Sequence, residues 1–264
     1  MRVHVVSDVH GNAEALARAG DGADALLVLG DLLDFIDYRE PGKGIMGRIF
    51  GAEKVTEFIR LRTEGLREQA GVYIRGLWDE LSDGPRLVSE AITEEYARLF
   101  TALSAPAYAT AGNVDSPELW RKIAAELGTD LRLFDGESIE LGGLRIGFVG
   151  GALRLMTFPP TKSHWQPYLR SPEEFDAAVA GLPPVDILAT HIPPAVAELT
   201  YDVVARRSEL GSYGLLEKIR ADRPRWSLFG HVHQPLSGRV RIGPTECVNV
   251  GHFKRWGRPY VINW

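Results

Sequence analysis

Short apolar runs that break off at a glycine, an acid or a histidine recur along this sequence of 264 residues. Val3-His4-Val5-Val6 leads into Ser7-Asp8-Val9-His10-Gly11, and Ala25-Leu26-Leu27-Val28-Leu29 leads into Gly30-Asp31. Ala107 to Ala111 opens onto Gly112-Asn113-Val114-Asp115, Val185 to Thr190 onto His191, and Trp226 to Phe229 onto Gly230-His231-Val232-His233. Runs this short read as strands. The unbroken apolar run at 25–29 reads as a strand covered on both faces. Helical patterns alternate with them, at Asn12–Ala19 with Asn12 as cap and after the Ser116-Pro117 start signal. That alternation predicts an α/β fold.

Open α/β sheets place their chemistry just beyond the carboxyl ends of strands. Those ends carry Asp8, His10, Asp31, Asn113, His191, His231 and His233, including four of the seven histidines. Carboxylate and amide oxygens mixed with imidazole nitrogens suit first-row divalent metals. Asp8 and His10, two apart in an extended segment, are expected to project to one side.

The formal net charge of -5 argues against a generic binder of nucleic acid or anionic membranes. No apolar stretch approaches the roughly 20 residues that span a bilayer. The N-terminus enters strand pattern at once, without the features of a secretory signal, so a cytoplasmic enzyme is expected. A single cysteine, Cys247, excludes an internal disulfide framework.

Between Ile36 and Ala105 the pattern turns helical. Glu40-Pro41-Gly42-Lys43-Gly44 reads as loop, with Gly47 and Gly51 close behind, and lacks the spacing of a nucleotide P-loop. Glu53 to Leu81 is rich in helix formers, Asp83-Gly84-Pro85 breaks it, and Leu87 to Leu103 resumes. Residues 1–264 are read as one domain in which 39–105 form a helical insert, either a cap over the site or a surface for homo-oligomerisation.

The ordered blocks Asp8-Val9-His10, Gly30-Asp31, Gly112-Asn113-Val114-Asp115, His191 and Gly230-His231-Val232-His233 resemble those of the calcineurin-like metallophosphoesterases. The resemblance implies a four-layer sandwich of two mostly mixed β-sheets flanked by helices. It implies two divalent or trivalent ions, drawn from manganese, iron, zinc, nickel and cobalt. One would be held by Asp8, His10 and His233, the other by Asn113, His191 and His231, with Asp31 bridging and positioning a nucleophilic hydroxide. The implied substrate is a small phosphate ester or a nucleotide.

Around these ligands, Asp34 and Asp115 are candidates to orient histidines, with a capping or solvated-loop role as the alternative for each. Asn12 is read as a helix cap before a substrate contact, His252 as a residue of the C-terminal rim facing the site, and His4 as structural. The family pattern has a histidine where this chain has Val114, a residue implied to touch phosphate and protonate the leaving oxygen. Three readings follow from its loss. His252, His164 or a metal-bound water supplies the proton; or the enzyme favours diesters and activated esters; or the protein is a slow hydrolase or a phosphate-ligand sensor. The diester reading is the expectation, with a phosphomonoesterase or nucleotide phosphatase as its rival.

Overall fold

Leu26 and Val28 pack into one hydrophobic core while Ala25, Leu27 and Leu29 pack into another. Alternate side chains of a strand point to opposite faces, so this one strand separates two cores. The computed structural model describes residues 1–154 and 165–264. Its first half runs β1 (Arg2–Val6), α1 (Ala13–Ala19), β2 (Ala25–Leu29), α2 (Gly44–Phe50), α3 (Ala52–Thr63), α4 (Arg67–Asp79) and α5 (Gly84–Thr101). β3 (Ala107–Thr110), α6 (Pro117–Leu127) and β4 (Leu131–Leu133) follow. β1 to β4 lie side by side in sequence order, all parallel.

The second half begins with β5 (Glu137–Leu141), β6 (Leu144–Val149), β7 (Ala152–Leu153), β8 (Leu169–Arg170) and α7 (Pro172–Gly181). It continues through β9 (Ile187–Thr190), α8 (Ala197–Thr200), β10 (Tyr201–Asp202), β11 (Arg207–Ser208), α9 (Tyr213–Asp222) and β12 (Trp226–Phe229). β13 (Arg239–Ile242), β14 (Thr245–Asn249), α10 (Phe253–Trp256) and β15 (Tyr260–Asn263) complete it. The second large sheet has the order β13-β14-β12-β9-β6-β5, with a parallel centre and antiparallel edge strands. β15 crosses to the first sheet, where it runs antiparallel to β1.

The same alternation recurs in the second sheet. Ile187 and Ala189 of β9 face the core shared with β1 and β2, and Leu188 faces a core with Phe175, Val179, Leu215 and Ile219 of α7 and α9. The first sheet's outer face is covered by α1, α5 and α6 through Leu16, Tyr96, Leu99, Phe100 and Trp120. Helices, sheet, sheet and helices make four layers, as the family resemblance implies. Among the described residues, no helix is long and apolar enough to cross a membrane.

Local structure departs from the sequence reading at three places. After the loop at Glu40–Lys43 the chain forms α2, which the sequence did not mark: Ile45 and Met46 are buried and their N–H groups donate to the carbonyls of Asp34 and Phe35. Burial overrides weak propensity there. The helix-rich stretch 53–81 is interrupted at Gly65, whose φ of 78° ends α3 and starts a new direction for α4. Ser116 occupies the cap position of α6 without a side-chain capping bond; its N–H donates instead to the Tyr96 hydroxyl at 2.8 Å.

Candidate metal centre

β1 stops at Val6, and beyond it the chain is not extended: Asp8 and His10 have φ of 57° and 40°. The same-face argument for an extended segment is therefore corrected. The two side chains come together through a left-handed turn, whose N–H groups at Asp8, His10 and Gly11 donate to the carbonyls of Gly30, Asp31 and Leu32. Asp31 and His231 share this conformation, with φ of 53° and 67°. Aspartate and histidine tolerate it better than bulkier residues, at about 1–2 kcal/mol each.

Two motif glycines are demanded by space. A Cβ on Gly112 would lie 2.1 Å from Asp31 Oδ1, and one on Gly230 would lie 2.3 Å from Asp8 Oδ2. The backbone of one strand end must pass directly against the carboxylate of another.

The seven expected ligand side chains are brought into one cluster. His10 Nε2 is 3.2 Å from His233 Nε2 and 3.9 Å from Asp8 Oδ1. His191 Nε2 is 3.1 Å from Asn113 Oδ1 and 3.4 Å from Asp31 Oδ1. Asp31 Oδ2 faces the other way, 3.9 Å from His10 Nε2. His231 stands edge-on to His191, with ring centroids 5.1 Å apart.

Backbone carbonyls set the histidine tautomers. His191 Nδ1 lies 2.8 Å from the Leu29 carbonyl and His10 Nδ1 lies 3.0 Å from that of Leu33. A carbonyl only accepts, so Nδ1 carries the proton and the Nε2 lone pair of the neutral ring faces inward.

The clustered charges act on one another without a metal. Burial would raise the Asp8 carboxyl, yet His233, His191 and His10 hold it well below the ordinary carboxylate range. Burial likewise opposes the lowering of Asp31, but His191 and His10 prevail and bring it to about 2. His191 is the counterpart: burial would lower it, but Asp31 and Asp8 push it up to about 9. Burial, with His191 nearby, lowers His231 to about 4. Three sets of donors, Asp8/His10/Asp31, Asp31/His191/His231 and His10/His233/His252, each place their ligand atoms within 4.8 Å of one another.

The surrounding acids do something other than expected. Asp115 Oδ1 accepts the N–H of Leu32 at 3.1 Å, that of Leu33 at 3.4 Å and the Tyr96 hydroxyl at 3.2 Å. Its Oδ2 accepts the Gly112 N–H at 2.8 Å. It thus ties the loop after Asp31 to the loop that carries Asn113. Burial, reinforced by Asp31, pushes its carboxyl up to about 7. Asp34 and Asp37 each receive a bond from Lys254 Nζ at 2.8 Å. Among the described residues neither Asp34 nor Asp115 hydrogen-bonds a histidine, so their expected role as orienters of imidazoles gives way to one of fixing loops.

Asn12 caps α1 through the Ala15 N–H and donates from Nδ2 to the Lys254 carbonyl at 3.1 Å. His4 is buried, with Nδ1 2.7 Å from the Ala19 carbonyl. His252 stacks on His233 at 3.9 Å between centroids. His164 lies outside the described residues. The supporting residues Tyr96, Lys254 and Glu95, whose Oε1 accepts the Asp34 N–H at 2.6 Å, went unmarked in the sequence, because their partners lie far away along the chain.

The family model for calcineurin-like phosphoesterases matches residues 1–235. The chain belongs to that family. This calcineurin-like phosphoesterase is also similar in fold to a solved crystal structure at 15% identity, covering 96% of this chain and 91% of that one, with a TM-score of 0.60. A second similar structure is the purple acid phosphatase PPD1 from yellow lupin (Lupinus luteus) seeds, at 12% identity and a TM-score of 0.41. The match covers 96% of this chain but 44% of the lupin protein. No curated protein matches the chain.

Proposed function

We propose that this phosphoesterase works with two metal ions and prefers phosphodiesters. Asp31 carries the reading: Oδ2 faces His10 while Oδ1 faces His191, so one carboxylate addresses two groups of donors. Asp8, His10 and His233 would hold one cation, Asn113, His191 and His231 the other, with Asp31 shared. The donors fit such a role. Among the described residues Asp8 Oδ1 is buried without a hydrogen bond, a state that costs about 1–3 kcal/mol unless a cation satisfies it. With Nδ1 held by a carbonyl, Nε2 is the atom of His10 and His191 left to coordinate, in His191 once its proton is displaced. Cations bound there would activate water and neutralise charge on the ester. Manganese, iron, zinc, nickel or cobalt suits this mixed set.

The chain's own residues supply the rest. The Val114 N–H donates to Asp31 Oδ1 at 3.0 Å and fixes the shared carboxylate. The Val114 side chain packs against the helix-side core and has no proton to give. A missing general acid is worth roughly 10²–10⁴-fold, and esters with good leaving groups lose least by it. That supports small diesters over monoesters of poor alcohols. Residues 1–264 are taken as one catalytic domain, with the 39–105 helices as its insert, a cap over the site or a surface for self-association.

The test is turnover of bis-p-nitrophenyl phosphate and p-nitrophenyl phosphate after loading with each of the five metals. The diester is expected to be cleaved faster, and Asp31→Ala or His191→Ala to abolish cleavage. If neither ester turns over with any metal, a binding or regulatory role replaces this one.

A further inference from the structure

The geometry points to His252 as an additional ligand of the cation on the Asp8 side, making a three-imidazole face with His10 and His233. This rests on the two-metal reading above. One nitrogen from each of the three rings lies within 4.8 Å of the others. His252 stacks on His233 with centroids 3.9 Å apart and meets His10 edge-on at 5.7 Å. Its Nε2 is buried and has no hydrogen-bond partner among the described residues. A ring needed only for packing would gain nothing from a desolvated nitrogen, which costs about 1–3 kcal/mol when unsatisfied. A cation shared with His10 and His233 would satisfy it.

The backbone holds His252 there. On its C-terminal side the Phe253 N–H donates to the Ser7 carbonyl at 3.0 Å and the Lys254 N–H to the Asp8 carbonyl at 2.9 Å. On the other side the Gly251 N–H donates to Asn249 Oδ1 at 2.9 Å. The ring is therefore anchored to the same turn that carries Asp8 and His10. A third imidazole beside two carboxylates shifts this position toward zinc, cobalt, nickel and iron and away from magnesium and calcium, which prefer all-oxygen shells.

The experiment is cobalt(II) binding to the metal-free protein, followed by calorimetry and by the visible d–d spectrum. His252→Phe keeps a ring to stack on His233 but removes the nitrogen; His252→Ala removes both. The wild type is expected to take up two equivalents. In both variants one equivalent should weaken by about tenfold or more, as loss of a ligand entails, with a changed spectrum for that equivalent alone. Two equivalents bound as in the wild type by either variant would overturn the assignment and leave the two-metal reading standing. Uptake of fewer than two equivalents by the wild type would overturn both. Should neither variant fold, diethyl pyrocarbonate labelling of the wild type decides: cobalt is expected to protect His252, and equal labelling with and without cobalt sinks the assignment.

Discussion

Asp8 Oδ2 accepts the backbone N–H of His231 at 3.0 Å, so the end of a strand in one sheet is stapled to the end of a strand in the other. The same carboxylate keeps Oδ1 for the cluster, 3.3 Å from His233 Nε2. Asp8→Asn preserves an acceptor for the staple but removes the charge. We expect it to fold and to lose metal, whereas Asp8→Ala should also lose about 1–3 kcal/mol of metal-free stability. Urea unfolding alongside metal analysis separates the two. Equal stability for both variants would show that the staple does not hold the sheets.

Gly112→Ala should damage the centre from outside the set of ligands. Its Cβ would sit 2.1 Å from Asp31 Oδ1 and 2.4 Å from the Asp31 nitrogen, so the Asp31 carboxylate must move. Overpacking of this kind typically costs about 1–3 kcal/mol. Metal content and urea midpoint should both fall; a fully loaded, equally stable variant would contradict the close approach.

Asp115→Ala leaves the N–H groups of Leu32, Leu33 and Gly112 and the Tyr96 hydroxyl without their acceptor. A loss of about 2–4 kcal/mol is expected, against about 1 kcal/mol for Tyr96→Phe. The double variant should fall short of the sum, because both changes remove one shared bond. Denaturant unfolding of the four proteins closes the cycle.

Metal binding should release protons. His191 has its ordinary value of 6.5 raised to about 9 by Asp31 and Asp8, which overcome the effect of burial. Its proton stabilises the metal-free fold fully below pH 6.5, and that contribution is lost as pH rises through 9. A cation must displace the same proton, so affinity should climb between about pH 7 and 9 by up to about tenfold per unit. Calorimetry in buffers of different ionisation enthalpy measures the release; a buffer-independent heat would count against it.

Val114→His restores a proton donor beside Asp31. It should raise monoester turnover more than diester turnover, within the roughly 10²–10⁴-fold range of general acids. An unchanged ratio of the two rates would mean that Val114 does not set the preference.

The strand ends and the cluster of donors just beyond them were legible because acid, amide and imidazole sit within a residue or two of an apolar run. The α/β class followed from the same runs. How Asp8 and His10 converge was not legible, since it depends on carbonyls of Gly30, Asp31 and Leu32 contributed by another strand. Asp115 was noticed for its charge, yet its partners are backbone N–H groups that every sequence contains. α2 was missed because its support is the burial of Ile45 and Met46, a tertiary fact. His252 could be placed only near a rim, because the bonds that aim it come from Ser7 and Asp8, at the far end of the chain.

Those bonds also join the two ends of the sequence. β1, which delivers Asp8 and His10, has β15 as its outer neighbour, and Asp34 and Asp37 take their countercharge from Lys254. Removal of residues 249–263 would therefore leave an early strand with an open edge and a buried acid pair without its lysine, so a lesion near one terminus is read out at the other.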